Sequence, residues 1–332
     1  MRRILVTGAA GFIGSHFVEY MLAETDCEII VVDRLNSIGD LHRLSSLPNW
    51  TKEKHRVRFI WHDLKAEFNS IMLHRIGVVN AIFHFAAGSH VDTSILDPAS
   101  FVMDNVLGST HMMMAASKIL DPDGLYFDFN TDEVFGPSPE GIAFTEEDRF
   151  RPCNPYAASK AGQASMAYAF YKTYGLPVVI THTMNVFGER QHPEKFVPKI
   201  IRSILNNEEL TIHCQNQDGR MIAGKRTWLY AKNVASALLH LWMTAKPGEI
   251  YNIIGPDELD NLQIATKIAA LLDKTLHYTM IEGDAVRPGW DVRYNISGDK
   301  LLATGWKSPF VFETTLRETV IWTADNRHWI GL

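Results

Sequence analysis

The sequence has 332 residues, enough for two domains or for one large α/β unit with an attached lobe. With 46% hydrophobic and 21% charged residues it has ordinary globular composition, which excludes disordered and collagen-like chains. Lys and Arg number 32 against 38 Asp and Glu, and the net charge of −6 argues against a nucleic acid or an anionic membrane surface as partner.

In chain order, Met-Arg-Arg runs straight into Ile4-Leu5-Val6-Thr7-Gly8, a strand rather than a secretory leader. No apolar run approaches membrane-spanning length. Cys27, Cys153 and Cys214 are odd in number and far apart, so neither a disulfide framework nor a Cys-pair metal site is expected, and the chain reads as reduced and cytoplasmic. Short β-branched runs at 3–7, 28–33, 57–62, 81–86, 126–130 and 177–184 alternate with helical stretches, the pattern of a parallel sheet covered on both faces. Ile13, Phe17, Tyr20 and Met21 share one helical face, and longer helices are predicted over 98–120 and 155–174. Met112-Met113-Met114 reads as flexible thioethers filling a helix-packing surface. The second half is less regular and contains a polar, Gly-bearing loop at 215–225. The fold class expected is α/β, a Rossmann-type doubly wound parallel sheet with a smaller, discontinuous C-terminal substrate-binding lobe.

Gly8-Ala9-Ala10-Gly11-Phe12-Ile13-Gly14 follows the first strand and opens the first helix. A tight turn, close approach to a pyrophosphate and close helix–strand packing each exclude a side chain, and the helix N-terminus offers N–H groups and positive dipole. Gly8, Gly11, Phe12, Ile13 and Gly14 are therefore candidate dinucleotide contacts. Asp33, ending the second strand, can accept from ribose hydroxyls and repels a 2′-phosphate, which favours NAD over NADP, while the adjacent Arg34 pulls the other way. Asp63-Leu64 fits either an adenine-edge contact or a plain strand-end turn. The 14 His residues show no metal-binding spacing, so no metal is expected.

Asn154-Pro155-Tyr156-Ala157-Ala158-Ser159-Lys160 places an N-cap, a first-turn proline and a Tyr/Lys pair one turn apart on one face. A nearby ammonium and the helix N-terminus both lower a phenol's pKa, as a base for a sugar hydroxyl requires. Thr131, ending a central strand, is placed to bond the same hydroxyl. Asp132 and Glu133 follow at the carboxyl edge, where ligands of such sheets bind.

The glycine spacing resembles that of the extended short-chain dehydrogenase/reductases, and Thr131-Asp132-Glu133-Val134-Phe135-Gly136 resembles the signature of the nucleotide-sugar 4,6-dehydratases. The likeness continues through His84-Phe85-Ala86-Ala87-Gly88-Ser89-His90-Val91-Asp92, Asn105-Val106-Leu107-Gly108, Gln191-His192-Pro193-Glu194-Lys195-Phe196, Arg226-Thr227-Trp228-Leu229-Tyr230, Tyr251-Asn252-Ile253 and Arg287-Pro288-Gly289-Trp290-Asp291-Val292-Arg293-Tyr294. The resemblance implies NAD held also by Ala86, Ala87, Tyr156 and Lys160. It implies catalysis by Thr131, Asp132 as acid, Glu133 as base, Tyr156 and Lys160, and substrate contacts from His90, Asn105, Asn185, Glu194, Lys195, Arg226, Asn252 and Arg293. It implies a nucleotide-sugar substrate of the dTDP-glucose or UDP-glucose type, converted to the 4-keto-6-deoxy sugar, and a homodimer built on the helices at 98–120 and 155–174. The expected division is an NAD-binding domain at 1–183 with a return near 226–252, and a nucleotide-sugar lobe at 184–225 and 253–332.

Gly88, Thr93, Met184, Val186, Thr227 and Trp290 depart from the family pattern, all at presumed substrate-side positions. A 4-epimerase or decarboxylase on the same scaffold would use Tyr156 and Lys160 but leave Asp132 idle, and a non-catalytic NAD-binding sensor would need none of the three.

Overall fold

The computed structural model describes residues 2–36 and 39–332. Thirteen strands occur among them: β1 Arg3–Thr7, β2 Glu28–Asp33, β3 Val57–Trp61, β4 Val79–His84, β5 Leu120–Thr131, β6 Val178–Thr183, β7 Asn185–Phe187, β8 Leu210–Gln217, β9 Arg220–Ala223, β10 Lys225–Tyr230, β11 Ile250–Ile253, β12 Glu258–Asp260 and β13 Tyr278–Glu282. Seven form one sheet in the order β11-β6-β5-β4-β1-β2-β3. Every pairing in it is parallel. The order reverses between β1 and β4, and the crevice beyond their carboxyl ends is the usual ligand position of such sheets.

Both faces of a parallel sheet must be covered, so successive residues of β1 feed different cores. Ile4 and Val6 join Phe17, Met21, Phe83, Phe127, Leu238 and Leu241 on one face. Leu5 joins Ile30, Val32, Ile82, Met112, Met113, Tyr126 and Phe170 on the other. Met112 and Met113 are fully buried, as the packing reading of the Met run requires, whereas Met114 is exposed. The chain returns to the large sheet late, because β11 pairs with β6 and the helix Ala231–Thr244 packs beside Phe12–Glu24. A third core under β7, β8 and β10 gathers Phe187, Ile200, Ile212, Trp228, Ile264 and Leu316.

Two expectations are corrected. The predicted helix over 98–120 is three pieces, Pro98–Phe101, a π-helical turn Val102–Leu107 and Gly108–Ile119. The wide turn lies against the crevice, since Phe101 and Asp104 line it. The expected loop at 215–225 is the β8–β9 hairpin, antiparallel from Cys214–Ala223 to Gln217–Arg220. Its tip is Asp218-Gly219 with φ of 51° and 82°, the positive values that a two-residue hairpin turn demands.

Candidate active site

A cavity of about 790 Å³ opens at the carboxyl edge of the large sheet. Gly8, Gly11, Phe12, Ile13, Gly14, Asp33, Asp63, Leu64, Ala86, Ala87, Tyr156 and Lys160 all line it, as do Thr131, Asp132 and Glu133. The glycine turn fits a dinucleotide for steric reasons. Gly8 has φ of 67°, and a Cβ on it would lie 2.7 Å from the Ala86 nitrogen; one on Gly14 would lie 2.4 Å from the Gly8 oxygen. Asp33 closes the turn by accepting from the Ala10 N–H at 3.0 Å and the Leu35 N–H at 2.9 Å. Arg34 is engaged bidentately by Asp104, both contacts 2.7 Å, with Asp63 at 3.6 Å. A 2′-phosphate would therefore meet Asp33 and a guanidinium already paired, which removes the argument for NADP.

Helix capping sets the reacting groups. Asn154 accepts from the Ala157 N–H at 2.8 Å and Pro155 occupies the first helical position, so Tyr156 projects from the first turn. The same Asn154 donates to Glu133 Oε2 at 3.0 Å, fixing the carboxylate beside the phenol. Thr131 Oγ1 donates to Asp132 Oδ1 at 3.1 Å, while Asp132 Oδ2 is buried with no partner among the described residues. Burial, then the neighbouring Glu133, pushes Asp132 up to about 7, with Arg226 opposing. Burial also raises Glu133, against its bond from Asn154 and the charges of Arg226 and Lys195.

The expectation that Lys160 lowers Tyr156 is not met in the chain alone. Burial and Glu133 raise Tyr156, with only the Thr131 hydrogen bond opposing. Lys160 Nζ instead donates to Phe129 O and Gln163 Oε1, each at 2.7 Å, and burial brings it down to about 8.

The expected substrate contacts divide. His90, Asn185, Glu194 and Lys195 line the cavity, His90 pairing with Glu194 at 3.3 Å. Asn105 does not: its amide bonds Gly88 N and O at 2.7 and 3.0 Å and Ser159 at 2.8 Å, so it holds the turn after β4 from behind. Asn252 is fully buried, donating to Ser297 O at 3.0 Å. Arg226 aims at the carbonyls of Lys225, Asp291 and Val292 and reaches the acids through charge rather than contact. Arg293 lines a second cavity of about 730 Å³, but grips Glu258 at 2.6 Å, Ser138 at 3.1 Å and Ile142 O at 2.8 Å. Trp290 lies flat in a slot, where a Cβ on Gly283 would come within 2.2 Å of its ring and one on Gly224 within 2.9 Å.

The contacts expected from the sequence do not include Thr183, and Gln191 and Trp228 stand there only within the matching segments, with no role of their own. All three line the main cavity, and each has a buried polar atom without a partner among the described residues. Thr183 ends β6 at the sheet's carboxyl edge, a position that marks ligand contacts in this architecture and was readable beforehand.

A family model described as GDP-mannose 4,6 dehydratase matches residues 5–319. The chain belongs to the nucleotide-sugar 4,6-dehydratase family. It is 34% identical over 351 aligned residues to a dTDP-glucose 4,6-dehydratase of Salmonella typhimurium, covering 99% of this chain and 94% of that one. It is 36% identical to the low-salt glycan biosynthesis protein Agl12 of Haloferax volcanii, covering 96% and 97%. The solved structure of DesIV, a dTDP-glucose 4,6-dehydratase from Streptomyces venezuelae with NAD and TYD bound, superposes with a TM-score of 0.87 at 33% identity, covering 98% of each chain.

This family member carries a stability signature in Asp132. Its folded pKa of about 7 exceeds the ordinary 3.8, so between those values the folded state holds a proton that the unfolded chain releases. The contribution to stability is present below the unfolded value and is lost as pH rises through the folded one. Asp132→Asn is expected to gain stability over wild type as pH rises from about 4 to about 8, read by urea unfolding; parallel pH curves for the two proteins would contradict the assignment.

Proposed function

We propose that the chain is an NAD-dependent 4,6-dehydratase of a nucleotide-activated hexose of the dTDP-glucose or UDP-glucose type, giving the 4-keto-6-deoxy sugar. The observation that carries this reading is the buried Asp132 next to the half-buried Glu133, set beside Tyr156 in one cavity with the glycine turn. Bound NAD⁺ supplies the hydride acceptor at C4, the hydride donor at C6 and a positive ring whose charge is of the sign that lowers Tyr156. Tyr156, flanked by Thr131 and Lys160, takes the C4 hydroxyl proton. The ketone at C4 acidifies C5, and Glu133 removes that proton while Asp132, held protonated by burial, donates to the departing C6 hydroxyl; as C6 is reduced, Glu133 gives a proton back to C5. Two neighbouring carboxyl groups in opposite protonation states are what a low-dielectric site imposes, because both cannot ionise cheaply. An epimerase or decarboxylase needs no such pair.

In this proposal residues 1–183, with the return near 226–252, hold the dinucleotide, and 184–225 with 253–332 form the nucleotide-sugar lobe. Lys195 is the cation for the sugar nucleotide's phosphates; its Nζ donates to Ser89 O at 2.9 Å on the cavity wall. His90, Glu194 and Asn185 complete the sugar side, with Thr183, Gln191 and Trp228 as further hydrogen-bonding groups. The proposal also has the protein as a homodimer in the cytoplasm, in keeping with three free cysteines and with Val102, Met103, Met114 and Tyr168 exposed on the helical pieces within 98–119 and on Pro155–Tyr174.

Asp132→Asn with Glu133→Gln is expected to abolish water loss from the nucleotide sugar, by mass spectrometry, while bound NAD content stays at the wild-type level. Full turnover by that double variant would refute the mechanism. Sedimentation equilibrium should return twice the 37.5 kDa chain mass, and a monomer would refute the assembly.

A further inference from the structure

Behind the reacting residues lies a group of polar side chains that the proposed mechanism does not use: Asp128 and Asn130 on β5 and Gln163 on the helix Pro155–Tyr174, all buried. Gln163 Nε2 donates to Asp128 Oδ1 at 2.7 Å. An ionised carboxylate only accepts, so this bond fixes which end of the Gln163 amide faces Asp128 and turns Oε1 the other way. There Oε1 accepts from Lys160 Nζ at 2.7 Å. Phe129 O accepts a second Nζ proton, leaving the third donor of the ammonium for the cavity that Lys160 lines. Asn130 repeats the logic. Its Nδ2 lies 3.3 Å from Asp128 Oδ2 and 3.0 Å from Lys160 O, which leaves Oδ1 to accept from the Thr131 N–H at 2.9 Å.

We propose that Asp128 is a positioning residue which, through the amides of Gln163 and Asn130, sets the Lys160 ammonium and the Thr131 backbone on the two sides of Tyr156. The inference rests on the reading of Tyr156, Thr131 and Lys160 given above. One carboxylate thus orients both partners of the phenol without touching the ligand, and a carboxamide or a protonated acid in its place could donate and let Gln163 turn round.

The electrostatics agree with the geometry. Burial drives Lys160 down and Asp128 up, and each opposes the shift of the other. Of the other titratable groups facing the pair, His84 on β4 is brought to about 3 and His182 on β6 to about 4, both by burial and the Lys160 charge, so both are neutral. Tyr126 on β5 and Tyr156 on the helix are both raised, and in the chain alone both are neutral as well. Asp128 is therefore the group that opposes the loss of the Lys160 proton.

The test uses Asp128→Asn and Gln163→Met in the full-length chain labelled with [ε-13C]lysine, the Lys160 resonance being assigned by its loss in Lys160→Met. In Asp128→Asn the Lys160 titration midpoint is expected to fall by about one pH unit, because the charge that held it up is gone. With dTDP-glucose as substrate, kcat should fall about tenfold with KM within about twofold, and the alkaline limb of kcat should move to lower pH. Gln163→Met should shift both readouts the same way by less, and the double variant should be no worse than Asp128→Asn, as members of one relay behave. Should Asp128→Asn not fold, Gln163→Met carries the test, since it breaks the relay and keeps the charge. An unchanged Lys160 midpoint in the folded variants would overturn the proposal. A wild-type protein that makes no 4-keto sugar would overturn the reading of the site instead, while the lysine titration, which needs no substrate, still decides the relay.

Discussion

Burying Asp132 beside Glu133 at the carboxyl edge of a parallel sheet is the constraint around which the site is arranged. Among the described residues neither carboxyl group has a cation in direct contact. Asp132 is held by Thr131 and Glu133 by Asn154, and the charges of Arg226 and Lys195 act from a distance. A site built to bind anions would have placed a guanidinium between them. Here the guanidinium of Arg226 is turned to backbone carbonyls and stacks on Tyr294 at 4.5 Å, so its field reaches the acids while its donors do not. The result is one group poised near neutrality and a neighbour available as base.

The same edge explains how the residues are brought together. β1 runs into the glycine turn, β4 ends at His84 just before Ala86, β5 ends at Thr131 and β6 at Thr183, so neighbouring strands of one sheet deliver cofactor-side and substrate-side residues to a single crevice. Asn154 then ties the sheet to the helix, capping Pro155–Tyr174 with one end of its amide and holding Glu133 with the other. A side chain that reads as a helix cap in the sequence is therefore also part of the site.

What was legible in the sequence follows from which interactions are local. Strands β1 and β2 and the helix Pro155–Tyr174 have the predicted ends because strand periodicity, an Asn-Pro start and a Gly175 stop are encoded within a few residues. The π-helical turn Val102–Leu107 has no counterpart in hydrophobic period, since its apolar residues satisfy an ordinary helix equally well. The β8–β9 hairpin did carry a local signal, Asp218-Gly219, hidden by its polar flanks. Asn105, Asn252 and Arg293 illustrate the harder limit: an amide or guanidinium suits a phosphate and a buried carbonyl alike, and only the tertiary fold decides which it meets. For the same reason the sequence placed Lys160 correctly near Tyr156 but could not foresee that its ammonium faces Phe129 O and Gln163.

In the proposed reaction one cavity oxidises, dehydrates and reduces a single sugar with no net change in its cofactor. The most direct test is incubation of the purified protein with dTDP-glucose in heavy water, without added reductant, and analysis of the product by mass spectrometry and NMR. The expected result is loss of one water and one deuterium at C5 of a 4-keto-6-deoxy product. A stereoisomer of unchanged composition, or a dehydrated product with no deuterium at C5, would contradict it.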